Sequence, residues 1–314
     1  MKTEPLRVIH SAAEFSTTGR KAALAIGMFD GVHLGHQQVI RQAVADAEQH
    51  EGVAIVVTFD QHPNTVVAPT RVPPLIYSLA QKMRAIASLD ADAALLVHFD
   101  EAFSQQPGEN FIRQLARDFA PLHSITVGSS FTFGHKRDGN VELLRKLGAE
   151  LNFSVHGIAA VSLDSEPVSS TRIRETIRSG ALDRAAEMLG RKYALAGTIV
   201  RGDHIGRKFG FPTANLDATG RALPQNGVYA VHAYVRGIRH RAVLNIGVRP
   251  TLASPTPQPR VEAHLLNFNG DIYGEEMELT FVQKLRDERR FPSLDELRAQ
   301  IQRDVRHALE VFNC

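Results

Sequence analysis

Three stretches of the chain hold side chains suited to phosphate chemistry. In Gly27-Met28-Phe29-Asp30-Gly31-Val32-His33-Leu34-Gly35-His36 two imidazoles stand three residues apart among glycines. Glycine lets a backbone approach an anion, a helix start offers unpaired N–H groups with about half a positive charge, and imidazoles donate without permanent charge. The set suits a polyphosphate whose charge shifts during reaction. Helix capping and a His-x-x-His metal site are the rivals. The strand–glycine–helix context favours phosphate, and neither a cysteine nor a nearby third ligand supports a metal. The second stretch is Ser169-Ser170-Thr171-Arg172-Ile173-Arg174. Its hydroxyls can cap a helix and bind phosphate together, with Arg174 neutralising charge; alone it reads as an ordinary N-cap. The third runs from Gly202 through Gly206-Arg207-Lys208-Phe209-Gly210-Phe211 to Pro212-Thr213-Ala214-Asn215. Here backbone N–H groups and Lys208 would meet phosphate, while Thr213 and Asn215 offer neutral oxygens to Mg²⁺. Glu262, in Val261-Glu262-Ala263-His264-Leu265-Leu266, sits in an alternating run where a carboxylate can point into a cleft; by itself it reads as solvent-facing. No Gly-x-Gly-x-x-Gly or Gly-x4-Gly-Lys-Ser/Thr occurs, and Gly202-Asp203-His204-Ile205-Gly206-Arg207-Lys208-Phe209 falls one residue short and lacks the hydroxyl.

The elements that must carry these residues divide in two. Strand-like runs Ala22–Ile26, Val53–Phe59, Ala93–Phe99, Ser124–Val127 and Phe153–Ile158 alternate with helical patterns Gln37–His50, Leu79–Ser88, Asn110–Phe119, Asn140–Leu147 and Thr171–Ser179. Continuous apolar strands separated by helices predict a Rossmann-like, doubly wound parallel sheet, an α/β domain over residues 1–188. After Gly190 the rhythm changes to Tyr193–Val200, Gly227–Arg236, Arg241–Ile246, Val261–Phe268 and Met277–Leu285 with turns between them. A helix follows only at Leu294–Phe312, with Ser293 and Glu296 as a capping box. That pattern predicts a small antiparallel β-barrel closed by a C-terminal helix over residues 189–314, with Ser254–Pro259 as a loop inside it.

Composition fits this division. The 314 residues are 43% hydrophobic and 22% charged, enough to bury two cores. Residues 1–188 carry 18 Lys/Arg against 21 Asp/Glu, net −3, and the remainder 18 against 13, net +5, which makes the second part a candidate anion binder, though by itself such a bias reads as solvated surface. The longest apolar runs fall far short of a membrane span of about 20 residues. Charged residues interrupt the first twenty, and the single cysteine, Cys314, permits no internal disulfide. A cytoplasmic protein, monomeric or weakly homo-oligomeric, without membrane or nucleic-acid partners, is the expectation.

The His-x-Gly-His and the later Ser-Ser-Thr-Arg-Ile-Arg resemble the nucleotidylyltransferase superfamily. Together with TFDQHP, VGSSFTFG, GRKFGFPTANL, NIGVRPT, VEAHLLNFNGDIYG and FVQKLRDERRFPSLDELRAQI, they make the chain resemble the bifunctional prokaryotic riboflavin kinase/FAD synthetases over nearly its whole length. The resemblance implies that the barrel phosphorylates riboflavin with ATP to FMN, and that the N-terminal domain adenylylates FMN to FAD and releases pyrophosphate. It makes His33, His36, Arg174 and Glu262 catalytic. Gly27, Phe29, Asp30, Gly31, Gly35, Ser169, Ser170 and Thr171 become ATP-binding in one site, and Gly206, Lys208, Thr213 and Asn215 in the other, the last two also holding Mg²⁺. Phe59, Ser130, Phe133, Arg286 and Phe291 become flavin-binding. Three positions depart from the pattern: Ser130 replaces Asp or Asn, Gln61 replaces Pro, and Asn267 replaces Asp. Ser130 is expected to forfeit a hydrogen bond to flavin, worth about 1–3 kcal/mol. A kinase with a weakened N-terminal domain, and more remotely a nucleic-acid-binding barrel, are the alternatives.

Overall fold

The computed structural model describes residues 5–202, 210–249 and 258–313. Two compact units divide them: Met1–Pro73 with Leu79–Ser170, and Pro74–Ser78 with Thr171–Cys314.

In the first unit, six strands form one wholly parallel sheet: β1 (Arg7–Ile9), β2 (Ala22–Ile26), β3 (Val53–Phe59), β4 (Ala93–Val97), β5 (Leu122–Gly128) and β6 (Ser154–Ile158). Their order is β1-β4-β3-β2-β5-β6. The chain steps outward from β2 through β3 to β4, then returns to place β5 on the other side of β2. The order therefore reverses beside the carboxyl end of β2, where open α/β sheets bind ligands. Every residue of β2 and β3 is buried, which is why both read as unbroken apolar runs. Helix α1 (Leu34–Gln49) follows β2; α2 (Asn64–Val67) and α3 (Leu79–Ala87) follow β3; α4 (Glu101–Ser104) and α5 (Gly108–Asp118) follow β4; α6 (Val141–Leu151) follows β5. Phe111, Ile112 and Leu115 of α5 and Leu144 and Leu147 of α6 share one core with Leu24, Ile55 and Ile125 of the sheet. A short hairpin, β7 (Ser162–Leu163) with β8 (Glu166–Pro167), ends the unit.

The second unit holds most of helix α7 (Ser170–Arg178), which begins at the division, then α8 (Leu182–Leu189) and a closed barrel. Its strands are β9 (Ala194–Val200), β10 (Ala214–Asp217), β11 (Gly227–Val235), β12 (Ile238–Arg249), β13 (Gln258–Leu265) and β14 (Glu276–Arg286), closed in the order β10-β13-β12-β11-β14-β9. Every pairing is antiparallel. Arg236 and Gly237 join β11 to β12 with positive φ at both residues, the backbone twist that two-residue hairpins favour. Helix α9 (Leu294–Asn313) begins at the expected capping box, with Glu296 N–H donating to Ser293 Oγ at 3.2 Å. It lays Val305, Ala308 and Phe312 on Val228, Ala230 and Val243 of the barrel.

The parallel sheet, the antiparallel barrel and the final helix match the expected fold class. Several boundaries differ. Helix α1 starts at Leu34, three residues before the expected start at Gln37, because His33 itself supplies the cap. β10 has four residues, too short to show alternation, and β1 and α8 carried no reading from sequence. β12 is longer than Arg241–Ile246, since hairpin pairing extends it to Ile238 and β13 to Arg249. Of the Ser254–Pro259 loop, residues 254–257 lie outside the described residues, and Gln258 and Pro259 already belong to β13.

Candidate functional sites on the two units

The loop between β2 and α1 is bent hard. Phe29 (φ 50°), Gly31 (φ 78°) and Val32 (φ 40°) all lie at positive φ. Glycine takes this without cost, but a β-branched valine there is a true outlier, and such strain of about 1–3 kcal/mol per residue persists only where surroundings over-determine it. Here they do. Thr58 Oγ1 donates to Met28 O (3.2 Å), Ser170 Oγ to Asp30 O (3.1 Å), and Gln37 Nε2 to Val32 O (3.0 Å). Phe29 and Val32 are fully buried.

His33 then caps α1: its Nδ1 accepts the backbone N–H of His36 at 3.4 Å, which in the neutral ring leaves the proton on Nε2. The His33 and His36 rings stack with centroids 3.6 Å apart, and Phe29 meets His36 edge-on at 5.3 Å. A Cβ on Gly35 would stand 3.3 Å from the His33 ring, so glycine leaves that ring room. The structure therefore brings Gly27, Phe29, Asp30, Gly31, His33, Gly35, His36 and Ser170 to one helix start at the sheet's carboxyl edge. Ser169 directly precedes Ser170 in the same unit. Thr171 and Arg174 belong to the second unit, where Arg174 is buried and its Nε donates to Pro74 O at 2.8 Å.

Beside this loop, within the same unit, a cavity of about 790 Å³ opens. Phe59, Phe99, Phe103, Phe111, Phe131 and Phe133 line it, with Met28 at one wall and Lys136 and Arg137 adding positive charge. Phe131 and Phe133 lie nearly parallel, centroids 5.4 Å apart. Aromatic walls of this kind take flat heterocycles. Both predicted phenylalanines, Phe59 and Phe133, line the cavity. Ser130 is exposed and does not line it; its neighbour Phe131 does. Gln61 has a local role, its Nε2 donating to Phe99 O at 2.7 Å. Asp60 accepts from Phe99 N–H (3.1 Å) and pairs with His98 Nδ1 (2.5 Å), which together hold its carboxyl below the usual range despite partial burial.

In the barrel unit, register assembles the second site. Glu262 of β13 stands opposite Asn215 of β10 on one side and Asn245 of β12 on the other. Directly opposed residues share a face, so two amides flank one carboxylate. All three are half-buried, while their neighbours Ala214, Val261, Ala263, Leu244 and Ile246 are buried in the apolar core. Arg260 Nη2 holds Glu262 Oε1 at 2.7 Å and so orients the carboxylate. A Cβ on Gly202 would fall 2.1 Å from Asn215 Nδ2, so only glycine leaves that amide its place. Gly202→Ala is therefore expected to displace the Asn215 amide while the barrel stays folded. The check is the side-chain amide resonance of Asn215, which should shift at an unchanged melting temperature.

Thr213 lines a cavity of about 440 Å³ with Ala214, Leu265, Phe268, Ile272 and Tyr273. Gly206 and Lys208 lie outside the described residues. Asn267 occupies the left-handed region (φ 55°), a conformation asparagine tolerates well. Arg286 is committed to α9: Nε and Nη2 clamp the buried Asp304 at 2.9 and 2.7 Å, and Nη1 donates to Asp287 O. Its guanidinium also lies 5.7 Å from the Phe291 ring, which Arg289 covers at 4.9 Å.

Sequence reasoning passed over Asn245, Arg260 and Lys82. Asn245 had a signal, a lone amide inside the apolar run Ala242–Ile246. Arg260 and Lys82 had none, since Arg260 acts through an ion pair and Lys82 reads as an ordinary polar helix residue.

A parallel sheet with a histidine-capped helix at its carboxyl edge, followed by a small barrel with an amide–carboxylate–amide row, suits the class of nucleotide-dependent transferases. The family model described as FAD synthetase matches residues 16–172, and the one described as riboflavin kinase matches 189–312. Bifunctional riboflavin kinase/FMN adenylyltransferase of Escherichia coli strain K12 is 35% identical, with 98% of this chain and 97% of that protein covered. Its counterpart in Bacillus subtilis strain 168 is 32% identical, with 100% and 99% covered. A solved structure described as a macrolide-efflux protein from Streptococcus pneumoniae is 27% identical, with 96% of this chain and 98% of that chain covered and a TM-score of 0.80. Among the described residues, no helix is long and apolar enough to cross a membrane. The chain belongs to the family of bifunctional riboflavin kinase/FMN adenylyltransferases.

Proposed function

We propose that the chain converts riboflavin to FMN at the barrel and FMN to FAD at the parallel-sheet unit, each step consuming ATP. The observation that carries this reading is that the central residues of each motif set come together within one unit. His33, His36, Asp30 and Ser170 meet in the first, and Asn215 and Glu262 meet in the second. The functional division runs at residue 188/189; in its support, one family model ends at 172 and the other begins at 189.

In the barrel, Glu262 orients the ribityl 5′-hydroxyl and takes its proton as the oxygen attacks the γ-phosphorus of ATP, breaking the bond to the β-phosphate bridge and releasing ADP. Asn215 and Thr213 would hold Mg²⁺. Their neutral oxygens suit an ion that keeps waters and takes its remaining ligands from phosphate, and among the described residues no cluster of three His, Cys, Asp or Glu offers a self-sufficient cage. When bound, the ion neutralises phosphate charge, and the rest of phosphoryl transfer is positioning. The cavity lined by Thr213 and Tyr273 receives the nucleotide, with Gly206 and Lys208 assigned to its phosphates by their motif. Arg286 and Phe291 border the flavin.

In the first unit, an oxygen of the FMN phosphate attacks the α-phosphorus of a second ATP, the α–β bridging bond breaks, and pyrophosphate leaves. His33 and His36 donate to the phosphates as charge develops, and the backbone of Gly27–Gly35 with Ser169 and Ser170 cradles them. Thr171 and Arg174 enter on their sequence motif alone. Phe59 and Phe133 face the isoalloxazine ring, and Ser130 serves its polar edge through solvent. The protein works in the cytoplasm on small molecules, as a monomer or weak homo-oligomer and without nucleic acid or membrane.

Incubation with riboflavin, ATP and Mg²⁺, followed by separation of flavins, tests this. FMN should appear first and FAD after it, and a chelator should stop both. FMN without FAD would favour a kinase alone; salt-sensitive oligonucleotide binding without ATP turnover would favour a nucleic-acid-binding barrel.

A further inference from the structure

Lys82 of α3 is 5% exposed, and its ammonium reaches the carboxyl ends of β2 and β3. Nζ donates to Phe59 O at 2.7 Å, Thr58 Oγ1 at 3.3 Å and Met28 O at 3.4 Å. Three donors meet three acceptors, none of them charged. Two of the acceptors matter together. Met28 opens the strained phosphate loop and also lines the aromatic cavity; Phe59 ends β3 and lines the same cavity. One buried cation therefore ties the wall of the flavin cavity to the loop that sets His33 and His36. The charged groups acting on it are Asp30, in the loop, and Asp60, directly after β3 and itself paired with His98.

We propose that Lys82 is a positioning residue for adenylyl transfer, holding the phosphate loop and the flavin-cavity wall in register through Met28 and Phe59. The inference rests on the proposed FAD-forming activity of this unit. Loss of the proton leaves two N–H groups for three acceptors and turns a lone pair toward one of them, so the tie loosens. Burial lowers the Lys82 pKa from 10.5 to about 8, against the opposing pull of Asp30 and Asp60. Stability and activity then move in opposite directions. Between about pH 8 and 10.5 the unfolded chain binds a proton that the native amine has given up, so this group favours folding more as pH rises through that window. A purely structural lysine would yield only that gain.

The intact chain is assayed from pH 7 to 10 for FAD formation from FMN and ATP, for riboflavin phosphorylation, and for thermal unfolding. The wild type should lose FAD-forming kcat above about pH 8, more than KM changes, while phosphorylation lacks that limb. Lys82→Met, which keeps the length and removes the charge, should lower FAD-forming kcat about 10–100-fold, as misplacement of reacting groups does, and abolish the limb. A Lys82→Met kcat within twofold of wild type overturns the proposal, as does survival of the limb in that variant. Should Lys82→Met fail to fold, the wild-type profile decides, and a flat one overturns it. Wild-type protein that forms no FAD at pH 7 overturns the parent reading as well, whereas FAD formation insensitive to pH overturns this inference alone.

Discussion

Glu262→Gln is expected to slow riboflavin phosphorylation about 10²–10⁴-fold, the usual worth of a positioned general base. FAD formation from supplied FMN should remain at the wild-type rate. Glutamine keeps the shape and still offers Arg260 an acceptor in place of the 2.7 Å ion pair, so the barrel should melt normally. What is lost is the capacity to take a proton. The register makes the prediction specific, because Asn215 and Asn245 on either side can orient a hydroxyl but cannot deprotonate it. The measurement is single-turnover FMN formation under saturating ATP. A rate within threefold of wild type would remove Glu262 from the chemistry and leave it as an anchor for Arg260.

His36→Ala should have the complementary effect. Removing one preorganised donor from a site where charge develops costs about 10²–10³-fold in kcat. FAD formation should fall by that factor while riboflavin phosphorylation continues and FMN accumulates. Alanine suits the first turn of a helix, so α1 should persist; the losses are the stack on His33 and the edge contact with Phe29. Separating FMN from FAD in one time course reads both effects. If Glu262→Gln and His36→Ala each depressed both steps equally, the assignment of one reaction to each unit would be wrong.

The two predictions differ in how far sequence alone supports them. His36 lies within a ten-residue motif, and its relation to His33 follows from helix geometry once α1 exists. A capped helix turn brings residues three apart together, so the stacked pair was implicit in the spacing. Glu262 was visible only as a carboxylate in an alternating strand. Its partners come from β10 and β12, distant in the chain, and β10 is too short to leave a periodic signal. The aromatic cavity of the first unit lies between these cases. Phe59 and Phe133 were named from their motifs, but Phe99, Phe103 and Phe131 join them only because the segments after β3, β4 and β5 gather at one edge of the sheet.

By itself, the sequence determined the types of the longer elements, the change from parallel α/β to antiparallel β after Gly190, and the chemical groups available at each site. Those properties follow from local periodicity, capping and side-chain chemistry, which depend on neighbours a few residues away. The tertiary structure alone decided the amide–carboxylate–amide row, the commitment of Arg286 to Asp304, and the burial of Lys82 beneath the loop between β2 and α1. Each of these depends on strand register or on packing between segments far apart in the chain. A shift of one residue in a strand turns every side chain to the opposite face, and only closure of the barrel and burial of the sheet fix which face is chosen.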